Sequence, residues 1–589
     1  PANEEKTNIV VIFIDDMGFA DPSCFGNPLI KTPHIDKLAA EGIKLTNFYV
    51  NSPICSASRV SLTTGQYQGR WKIHSFLNSR AANANRGMAD YLDSSAPTTA
   101  KKLKSAGYAT AHFGKWHMGG GRDVDDAPLP QAYGFDESLV SFEGLGDRII
   151  SNPGGVKRGR ALGHGKVIPC ERWERMPIQT DHTIDFIRRH RDGPFYVRLF
   201  PNDVHDRHVP RPGSADKYKS VSDDPYVRDF FAVLEEMDKQ IGRVIATIDE
   251  LDLGKKTLVL FTSDNGPTDW PKKYKTGPPA GFTGPYRGRK WSLFEGGIRM
   301  PFIARWTGTI PAGVEDTTSV VSAIDLSPTL CRFAGVPVEA ELDGVDRGDV
   351  LLGKASRRAK PVFWQYGHPH AILKGGKPEH QSPTFALRDG RWKFMINPDG
   401  SEAQLFDLDA DEGESTNLVS RHPERAVVMA GQISEWADEI GFSFEPERKD
   451  GLVFKSLFAD QFVVVANSSQ AKYLSNAPSW QDCLLHPLVM MNRGSAVRHW
   501  TQSQLARFGE LNIIAETGQL STLGKLIQNG LGISIMPAIC QSQMEGLGLV
   551  VRQITINPLI KNIGIIKHAR KGLSLPAQSM WDLAIAHYA

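Results

Sequence analysis

Two pairs of oxygen-bearing side chains follow apolar runs in widely separated parts of the chain. Asp15 and Asp16 come directly after NIVVIFI, and Asp264 and Asn265 come directly after TLVLFTS. Either pair alone is typical of a solvated turn or a helix-capping loop. Together they offer four oxygen ligands without clustered cysteine or histidine. Such a set suits a hard divalent cation, calcium or magnesium, rather than zinc.

Five side chains that can carry positive charge are expected near the same place. They are Arg59, Lys115, His117, His205 and Lys290. Beside a bound cation they would attract an anionic substrate, and a phosphoryl or sulfuryl group fits. The ordinary alternatives are a surface or core histidine for His205 and a solvated basic loop for Lys290.

Cys55 stands in the stretch ICSASRVSLTTG, among serine and alanine. A structural cysteine normally lies on an apolar strand or helix face. Here the start of a helix is predicted, and the polarity of a helix N-terminus favours anions. These surroundings indicate a chemical role for Cys55.

The predicted elements explain how such distant residues could meet. Four unalternated apolar runs indicate strands buried on both faces of a parallel sheet. They are 8–14, 107–113, 195–200 and 257–263. Before the last of them, apolar residues at helical spacing from Phe230 to Leu251 predict an amphipathic helix that closes at Gly254. This alternation predicts a doubly wound α/β domain, in which ligands bind beyond the carboxyl ends of the strands.

The pattern changes after residue 340. The stretch 385–396 predicts two strands around a D-G turn, followed by QLFDL, an acidic loop and a helix near 422–439. A small antiparallel sheet with a packed helix is therefore expected. A third style begins after EPERKDG, near residue 450. We divide the chain into a catalytic α/β domain at 1–340, a subdomain at 341–450 and a further α/β segment at 451–589.

Composition narrows the function classes. The 589 residues are 41% hydrophobic and 23% charged, with a formal net charge of +2, which indicates a multidomain globular protein without a global basic field for nucleic acid. The six cysteines form no C-x-x-C pair, which argues against a zinc ribbon or a dense disulfide scaffold. No apolar stretch reaches the roughly 18 residues that a membrane span requires.

Several ordered motifs resemble the formylglycine-dependent sulfatases of the alkaline phosphatase-like superfamily. C-S-A-S-R followed by V-S-L-T-T-G resembles the first sulfatase signature, and F-G-K-W-H-M-G resembles the second. The similarity runs from about residue 7 to 445. It includes NIVVIFIDDMGFAD, LFTSDNG, GRKWSLFEGGIRMPFIARW and LFDLDADEGESTNL. The ordered set is far more specific than any single motif.

The resemblance implies a mechanism. In that family the signature cysteine is oxidised to formylglycine, so Cys55 would be the precursor and a formylglycine-forming maturation enzyme a partner. One hydroxyl of the hydrate attacks sulfur, the alcohol leaves with acid assistance, and the second hydroxyl collapses to release sulfate. Ala57 departs from the proline of many sulfatases, which leaves recognition by a given maturation enzyme open.

The resemblance also implies roles for individual residues. One calcium ion would be held by Asp15, Asp16, Asp264 and Asn265. In addition to Cys55, the catalytic residues would be Arg59, Lys115, His117, His205 and Lys290. They would hold the formylglycine hydrate and the sulfate or assist the leaving oxygen. Residues close to these motifs in sequence, and therefore candidates for substrate binding, are Trp71, His74, Arg207, His208, Asp269, Trp270 and Arg287.

From about residue 452 the chain resembles another family. LVFKSLFADQFVVVANSS, IQNGLGISIMPA and GLSLPAQSMWDLAIAHY are similar to the latter part of a LysR-type regulator's effector-binding domain, a periplasmic-binding-protein-like half domain. We see no helix-turn-helix, and we expect an incomplete ligand cleft. We interpret the chain as a fusion or chimera, the alternative being a divergent accessory domain. The sulfatase part implies export, whereas LysR-type proteins are cytoplasmic.

The leading hypothesis is a sulfuric ester hydrolase that releases inorganic sulfate from a sulfated carbohydrate or an aryl sulfate. One alternative is a phosphomonoester or phosphonate hydrolase on the same fold, since the same groups suit phosphate. One divalent ion rather than two favours sulfate, which carries less charge. The other alternative is a ligand-sensing or interaction protein that acts through the C-terminal segment. No nucleic acid partner is expected.

Overall fold

The computed structural model describes residues 6–269, 280–338, 342–367, 373–398, 400–437, 441–444, 452–492, 495–518, 520–568, 581 and 585. Two compact units, Pro1–Trp436 and Ala437–Ala589, are described separately below. The division into 1–340, 341–450 and 451–589 stays a prediction.

The first unit alternates strands and helices along most of its length. Its strands are β1 Asn8–Ile14, β2 Ile43–Tyr49, β3 Ala109–Lys115, β4 Glu137–Ser141, β5 Arg148–Ile150, β6 Val167–Pro169, β7 Phe195–Phe200, β8 Thr257–Ser263, β9 Arg299–Arg305, β10 Val314–Asp316, β11 Val321–Ser322, β12 Val362–Gln365, β13 Phe385–Asp389, β14 Trp392–Ile396 and β15 Gln404–Asp407. Its α-helices are α1 Pro33–Ala40, α2 Cys55–Thr64, α3 Arg80–Ala84, α4 Thr99–Ser105, α5 Pro153–Leu162, α6 Arg175–Arg189, α7 Pro225–Glu250, α8 Glu295–Ile298, α9 Leu326–Phe333, α10 Gly348–Leu351 and α11 Pro423–Ala437.

The central sheet has 11 strands within the described residues. Its order is β10-β2-β9-β8-β1-β7-β3-β4-β5-β6, with β11 also beside β2. Among these described strands, β9 alone runs antiparallel to its neighbours. The predicted doubly wound, mostly parallel sheet is confirmed. β1, β7 and β8 have the predicted bounds. β3 begins two residues late, because Gly107 and Tyr108 still close the turn after α4, and it ends two residues late, at Lys115.

The burial of β1 explains why its sequence does not alternate. All seven of its residues are buried. Ile9, Val11 and Phe13 belong to one hydrophobic cluster, and the intervening Val10 and Ile12 belong to another. Successive side chains point to opposite faces of a strand, so both faces of the sheet are covered and both require apolar residues.

Helix α7 covers one face of the sheet and is longer than predicted. The side chain of Asp224 accepts a hydrogen bond from Tyr226 N and caps the first turn. The helix ends at Glu250, and Asp252, with φ of 55°, takes the left-handed conformation there. The prediction that Gly254 closes the helix is therefore wrong.

The end of the first unit forms a small antiparallel sheet of order β12-β13-β14-β15. The β13–β14 hairpin turns at Gly390, with φ of 59°, as the D-G pair predicts. Trp436 on α11 stacks on Phe363 of β12, with ring centroids 5.1 Å apart. The predicted antiparallel sheet with a packed helix is confirmed.

The second unit has its own sheet and helices. Its strands are β16 Gly441–Phe444, β17 Leu452–Ala466, β18 Leu488–Met491, β19 Ile513–Thr517, β20 Ser534–Pro537, β21 Val550–Gln553 and β22 Ile560–His568. Its α-helices are α12 Trp480–Leu484, α13 Ala496–Leu505, α14 Leu520–Gln528 and α15 Gln541–Gly546. The larger sheet has the order β16-β22-β17-β20, with β21 beside β17, and β18 and β19 form a parallel pair. No helix among the described residues of either unit has the length and apolarity of a membrane span.

Candidate active site

The candidate active site forms where four neighbouring parallel strands end. β8, β1, β7 and β3 lie side by side in this order, and their carboxyl ends open on one edge of the sheet. Gly114, with φ of 120°, allows β3 to lie close to β7, because a Cβ there would be 2.2 Å from the carbonyl oxygen of Phe200. The polar residues that end or follow these strands are Asp15, Asp16, Lys115, Asp264 and Asn265.

Cys55 lies in the middle of this edge. It is the first residue of α2, as predicted, and it is buried. Its Sγ is 3.4 Å from Asp15 Oδ1, 3.8 Å from Asp16 Oδ1 and 3.4 Å from Lys290 Nζ. Burial raises the pKa of the thiol, with the nearby lysines opposing it only in part. The thiol is therefore neutral at ordinary pH, and a neutral thiol is a poor nucleophile.

Asp15 is held between two cations. Lys115 Nζ donates to both of its carboxylate oxygens at 2.8 and 2.7 Å, and Arg59 Nη2 is 3.5 Å from Oδ1. Burial alone would raise the pKa of Asp15, but Lys115 and, behind it, His205 and Arg59 hold that pKa well below its usual range. Asp15 is therefore an ionised carboxylate in a buried site.

Asp16 has a different set of partners. Lys290 Nζ lies 2.5 and 2.7 Å from its two oxygens, Asn265 Nδ2 donates at 2.7 Å and Thr268 Oγ1 at 2.8 Å. Burial opposes ionisation, yet Lys290 lowers the pKa of Asp16 below its usual value. The residue has φ of 63°, and its backbone N donates to Asp264 Oδ1 at 3.1 Å. Because of this strained turn, the carboxylates of Asp15 and Asp16 face the same point of the site.

The residues after β8 complete the cluster. Asp264 Oδ2 accepts from Arg59 Nη2 at 2.7 Å, and burial raises the pKa of Asp264 to about 7 against the pull of Arg59. The side-chain oxygen of Asn265 is buried and accepts no hydrogen bond from any described residue, although its Nδ2 group is fully used. A buried acceptor without a donor is costly, and a cation would satisfy it. The predicted ligand set thus fits a hard cation.

Both predicted histidines lie at the cluster. His117 Nε2 is 3.3 Å from Leu77 O, and its Nδ1 is buried without a partner in the described part of the chain. Burial holds the pKa of His117 well below its usual range. His205 Nε2 is 3.5 Å from Asp16 Oδ2 and 3.5 Å from Lys290 Nζ. Burial lowers the pKa of His205 to about 4, although Asp16 opposes it. Both imidazoles are neutral near pH 7.

The segment that carries Lys290 is fastened by a buried charge cluster. Lys393 Nζ lies 2.8 Å from Glu295 Oε1 and 2.8 Å from Glu414 Oε1, and all three side chains are fully buried. Glu414 Oε2 also accepts from Glu295 N at 2.7 Å. We call these three residues the Lys393 cluster. It ties the segment after Lys290 to the small antiparallel sheet.

The predicted substrate-binding residues are scattered. His208 is buried and packs against Tyr226 and Phe230, with ring centroids 4.8 and 5.1 Å away, and burial lowers its pKa to about 3. Asp269 accepts from His380 Nδ1 at 2.7 Å and Gly376 N at 3.0 Å. Both residues have structural partners, and their substrate roles stay predictions.

The other five are placed as follows. Arg207 is exposed two residues beyond His205, whereas Trp71 and His74 are half-buried and Trp71 packs against the core. Arg287 lies over the Phe294 ring at 3.8 Å and donates to backbone oxygens of Glu379 and Glu414. Trp270 lies outside the described residues.

Two residues of the site were missed in the sequence. Thr268 donates a hydrogen bond to Asp16. Its position four residues after Asp264, in the same loop, could have indicated that it belongs to the site. Phe142 follows β4, and its ring lies 4.9 Å from Lys115 Nζ and 4.7 Å from the His117 ring. No periodicity or charge pattern marks a lone phenylalanine as a wall of an active site.

Comparison with known families agrees with this geometry. The sulfatase family model matches residues 7–336, and the model for the N-sulphoglucosamine sulphohydrolase C-terminal region matches 287–435. The LysR substrate binding domain model matches 429–589. Both resemblances predicted from the sequence are confirmed.

Individual relatives point the same way. The N-acetylgalactosamine-6-O-sulfatase of Bacteroides thetaiotaomicron is 30% identical over 499 residues, which cover 74% of this chain and 94% of that protein. Arylsulfatase A of Homo sapiens is 30% identical over 452 residues, covering 70% and 83%. The crystal structure of Ps i-CgsB in complex with k-i-k-neocarrahexaose has the same fold, with a TM-score of 0.62 at 24% identity over 74% of this chain and 93% of that one. The chain with this thiol, acid and lysine cluster therefore belongs to the sulfatase family.

Proposed function

We propose that this sulfatase releases inorganic sulfate from sulfated carbohydrate, using a formylglycine made from Cys55 and one calcium ion. The observation that carries the proposal is the position of Cys55. Its sulfur lies 3.4 Å from both a carboxylate oxygen of Asp15 and the ammonium of Lys290. A structural cysteine does not require charged neighbours, and a neutral thiol is a weak nucleophile. A formylglycine at this position would supply, as its hydrate, the nucleophilic hydroxyl.

The charge balance of the site supports a calcium ion. Asp15 and Asp16 are ionised and Asp264 has a pKa of about 7, so the acids offset most of the charge of Arg59, Lys115 and Lys290, while both histidines are neutral. A site of small net charge has little attraction for a sulfate ester. A divalent ion held by Asp15, Asp16, Asp264 and Asn265 would give the site positive charge, keep Asp264 ionised and stabilise the charge on the sulfate oxygens.

Asp15 and Asp16 also form a group with Cys55 and His205 whose ligand atoms lie within 4.8 Å of one another. This compact arrangement brings the acids of β1 next to the reacting position. The calcium would thus lie beside the sulfate rather than at a remote structural position.

Proton transfer to the leaving oxygen is assigned to Lys290 and His205. The carbonyl oxygen of Asp206 can only accept a hydrogen bond, and it lies 2.6 Å from His205 Nδ1, so Nδ1 carries the proton. His205 Nε2 is then the acceptor for the Lys290 ammonium, 3.5 Å away. Burial lowers the pKa of Lys290, but Asp16 more than offsets this and keeps the side chain protonated. The Lys290 ammonium can therefore protonate the departing alcohol itself, while His205 Nε2 accepts a hydrogen bond from it and orients it.

The substrate class rests on the relatives. An N-acetylgalactosamine-6-O-sulfatase covers most of this chain, and the solved Ps i-CgsB structure was obtained with a neocarrahexaose. Arylsulfatase A is similar as well, so aryl sulfates belong among the substrates to be tested. Export of the sulfatase part and maturation by a formylglycine-forming enzyme are further parts of this proposal.

Peptide mass analysis tests the proposal directly. Trypsin releases the peptide Leu45–Arg59, which contains Cys55 as its one cysteine. In active protein this peptide should have the lower mass of the aldehyde and react with a hydrazide, whereas the peptide that contains Cys331 should keep its thiol mass. Full turnover by protein with an unmodified Cys55 would contradict the proposal. So would faster hydrolysis of a phosphate ester than of the matching sulfate ester.

A further inference from the structure

A cavity of about 660 Å³ lies beside the catalytic cluster, next to Phe142. Its walls come mainly from β4, β5, α5 and the turn before α6. Two glutamates line it, Glu143 and Glu171. The arginines that line it are Arg122, Arg148, Arg158, Arg172, Arg175 and Arg207. A cavity with three times as many arginines as acids is suited to anions.

The cavity lies on the side from which the catalytic cluster is reached. The side chain of His205 is 24% exposed, whereas that of Lys290 is 5% exposed and Lys115 is almost fully buried. The 44% exposed Phe142 ring lies against Lys115 and also lines the cavity. Arg172 Nη2 donates to His205 O at 2.9 Å. Phe142 and Arg172 thus connect the cavity to the exposed side of the catalytic cluster, where the alcohol part of a sulfate ester would extend.

Part of the arginine set serves the fold. Arg148 is buried and donates to four backbone oxygens, including Gly159 O and Gly163 O at the end of α5, where a cation is favourable. Arg122 is paired with Glu143 at 2.5 Å, and Arg175 donates to Asn202 O at 3.0 Å. These three arginines need no ligand to explain them.

The other three arginines are less fully explained, since Arg172 uses only Nη2, on His205 O, and no side-chain hydrogen bond of Arg158 or Arg207 is found among the residues that the structure describes. Within the described part of the chain, Arg158, Arg172 and Arg207 have no carboxylate within ion-pair distance, since none of the salt bridges found there involves them. Arg172 Nε is also buried and has no hydrogen-bond partner among those same residues. Unpaired guanidinium groups around one cavity are predisposed to bind carboxylate or sulfate groups.

We propose that this cavity is a second anion subsite, which binds a further sulfate or carboxylate group on the leaving-group side of the ester that is cleaved. The preferred substrate is then a polyanionic oligosaccharide rather than a singly sulfated sugar. Phe142 offers an apolar surface for the sugar ring between the two anionic groups. This inference rests on the proposed function for its meaning as a substrate subsite.

Helix α5 provides a matched pair of variants. Arg158 lines the cavity, whereas Arg160 is exposed on the same helix and does not. Arg158→Glu and Arg160→Glu change the net charge equally. Binding of a dextran sulfate oligosaccharide, an oligogalacturonide and a neutral dextran oligosaccharide is measured by titration calorimetry. Hydrolysis of 4-nitrocatechol sulfate is measured in parallel.

We expect Arg158→Glu to raise the Kd of an anionic oligosaccharide about fivefold and Arg160→Glu to leave it within about twofold. The difference in Kd between the two variants should shrink in high salt, and the neutral dextran should bind both variants with the same affinity. A larger effect on dextran sulfate identifies sulfate as the bound group, and a larger effect on oligogalacturonide identifies carboxylate.

Equal effects of the two substitutions would overturn the subsite. If 4-nitrocatechol sulfate is hydrolysed while Arg158→Glu has no effect on binding, the subsite fails and the proposed function stands. If Arg158→Glu weakens anion binding but no sulfate ester is hydrolysed, the proposed function fails and the cavity remains an anion site.

Discussion

Replacing Lys393 by methionine should destabilise the first unit strongly. Lys393 is fully buried and lies 2.8 Å from each of two fully buried carboxylates, Glu295 and Glu414. Methionine preserves most of the volume but removes the charge that both acids share. In the variant, Glu295 would still have Arg299 Nη1 at 3.3 Å. Glu414 would lose more of the positive charge that compensates its carboxylate.

The magnitude follows from burial. Removing one partner of a buried ion pair costs about 3 to 5 kcal/mol, and this cost applies at pH 8, above the value of about 7 to which burial raises the pKa of Glu414. Unfolding entropies of about 2.1 cal/mol/K per residue give about 0.9 kcal/mol/K for the 436 residues of the first unit. The Tm of the unit should therefore fall by about 3 to 6 °C. Adding Glu414→Gln to Lys393→Met should recover part of this loss, because it removes the uncompensated charge.

Differential scanning calorimetry of the full chain measures the effect. Lys239→Met is the control, since Lys239 pairs with Glu235 at 2.8 Å on the exposed face of α7 with 53% of its side chain exposed. An exposed pair contributes about 0 to 1 kcal/mol, so the control should shift Tm by about 1 °C or less. A Lys393→Met variant as stable as this control would refute the reasoning. So would a double variant less stable than the single one.

Three further predictions concern the nucleophile, the metal and pH. Cys55→Ser should lower turnover of any sulfate ester by roughly 10³-fold or more, because serine has no aldehyde from which sulfate can be expelled; near-normal turnover would argue against formylglycine. Chelation with EGTA should lower both activity and the Tm of the first unit, and calcium should restore both, because a ligand that binds the folded state stabilises it; an unchanged Tm in EGTA would count against the calcium site. Burial raises the pKa of Glu414 to about 7 from 4.5, with Lys393 opposing it. Between these two pH values Glu414 thus keeps a proton in the folded protein that it releases in the unfolded chain. The resulting contribution to the free energy of unfolding is complete below about pH 4.5 and is lost as the pH rises through 7. The Tm of the native protein relative to Glu414→Gln should fall by about 2 to 3 °C between pH 5 and pH 8, and a rise over that interval would contradict the assignment.

Local sequence was sufficient for the elements that deliver the site. β1, β7 and β8 could be predicted to the residue because both faces of each strand are covered, which forces continuous apolar runs. Asp15, Asp16, Asp264 and Asn265 could be found because each pair follows such a run directly. Strand ends in a parallel sheet share one edge, so these residues had to approach one another.

The end of α7 is a feature that the local sequence did not predict correctly. Gly254 is the residue whose chemistry suits a helix terminus, yet the chain turns at Asp252, which has φ of 55°. An aspartate can adopt this conformation at small cost. Which residue does so depends on how the following turn packs.

The sequence alone indicated the family, four central strands of the sheet and the polar residues that meet at their ends, because strand burial and motif order are properties of short segments. The tertiary structure alone decided which charges meet. It joins Lys393 to Glu414 and to Glu295, 98 residues away, leaves Asn265 Oδ1 without a donor among the described residues, and opens an arginine-lined cavity beside Phe142. Charge compensation and access depend on distances of a few ångströms between segments that are remote in sequence, and no local pattern encodes those distances.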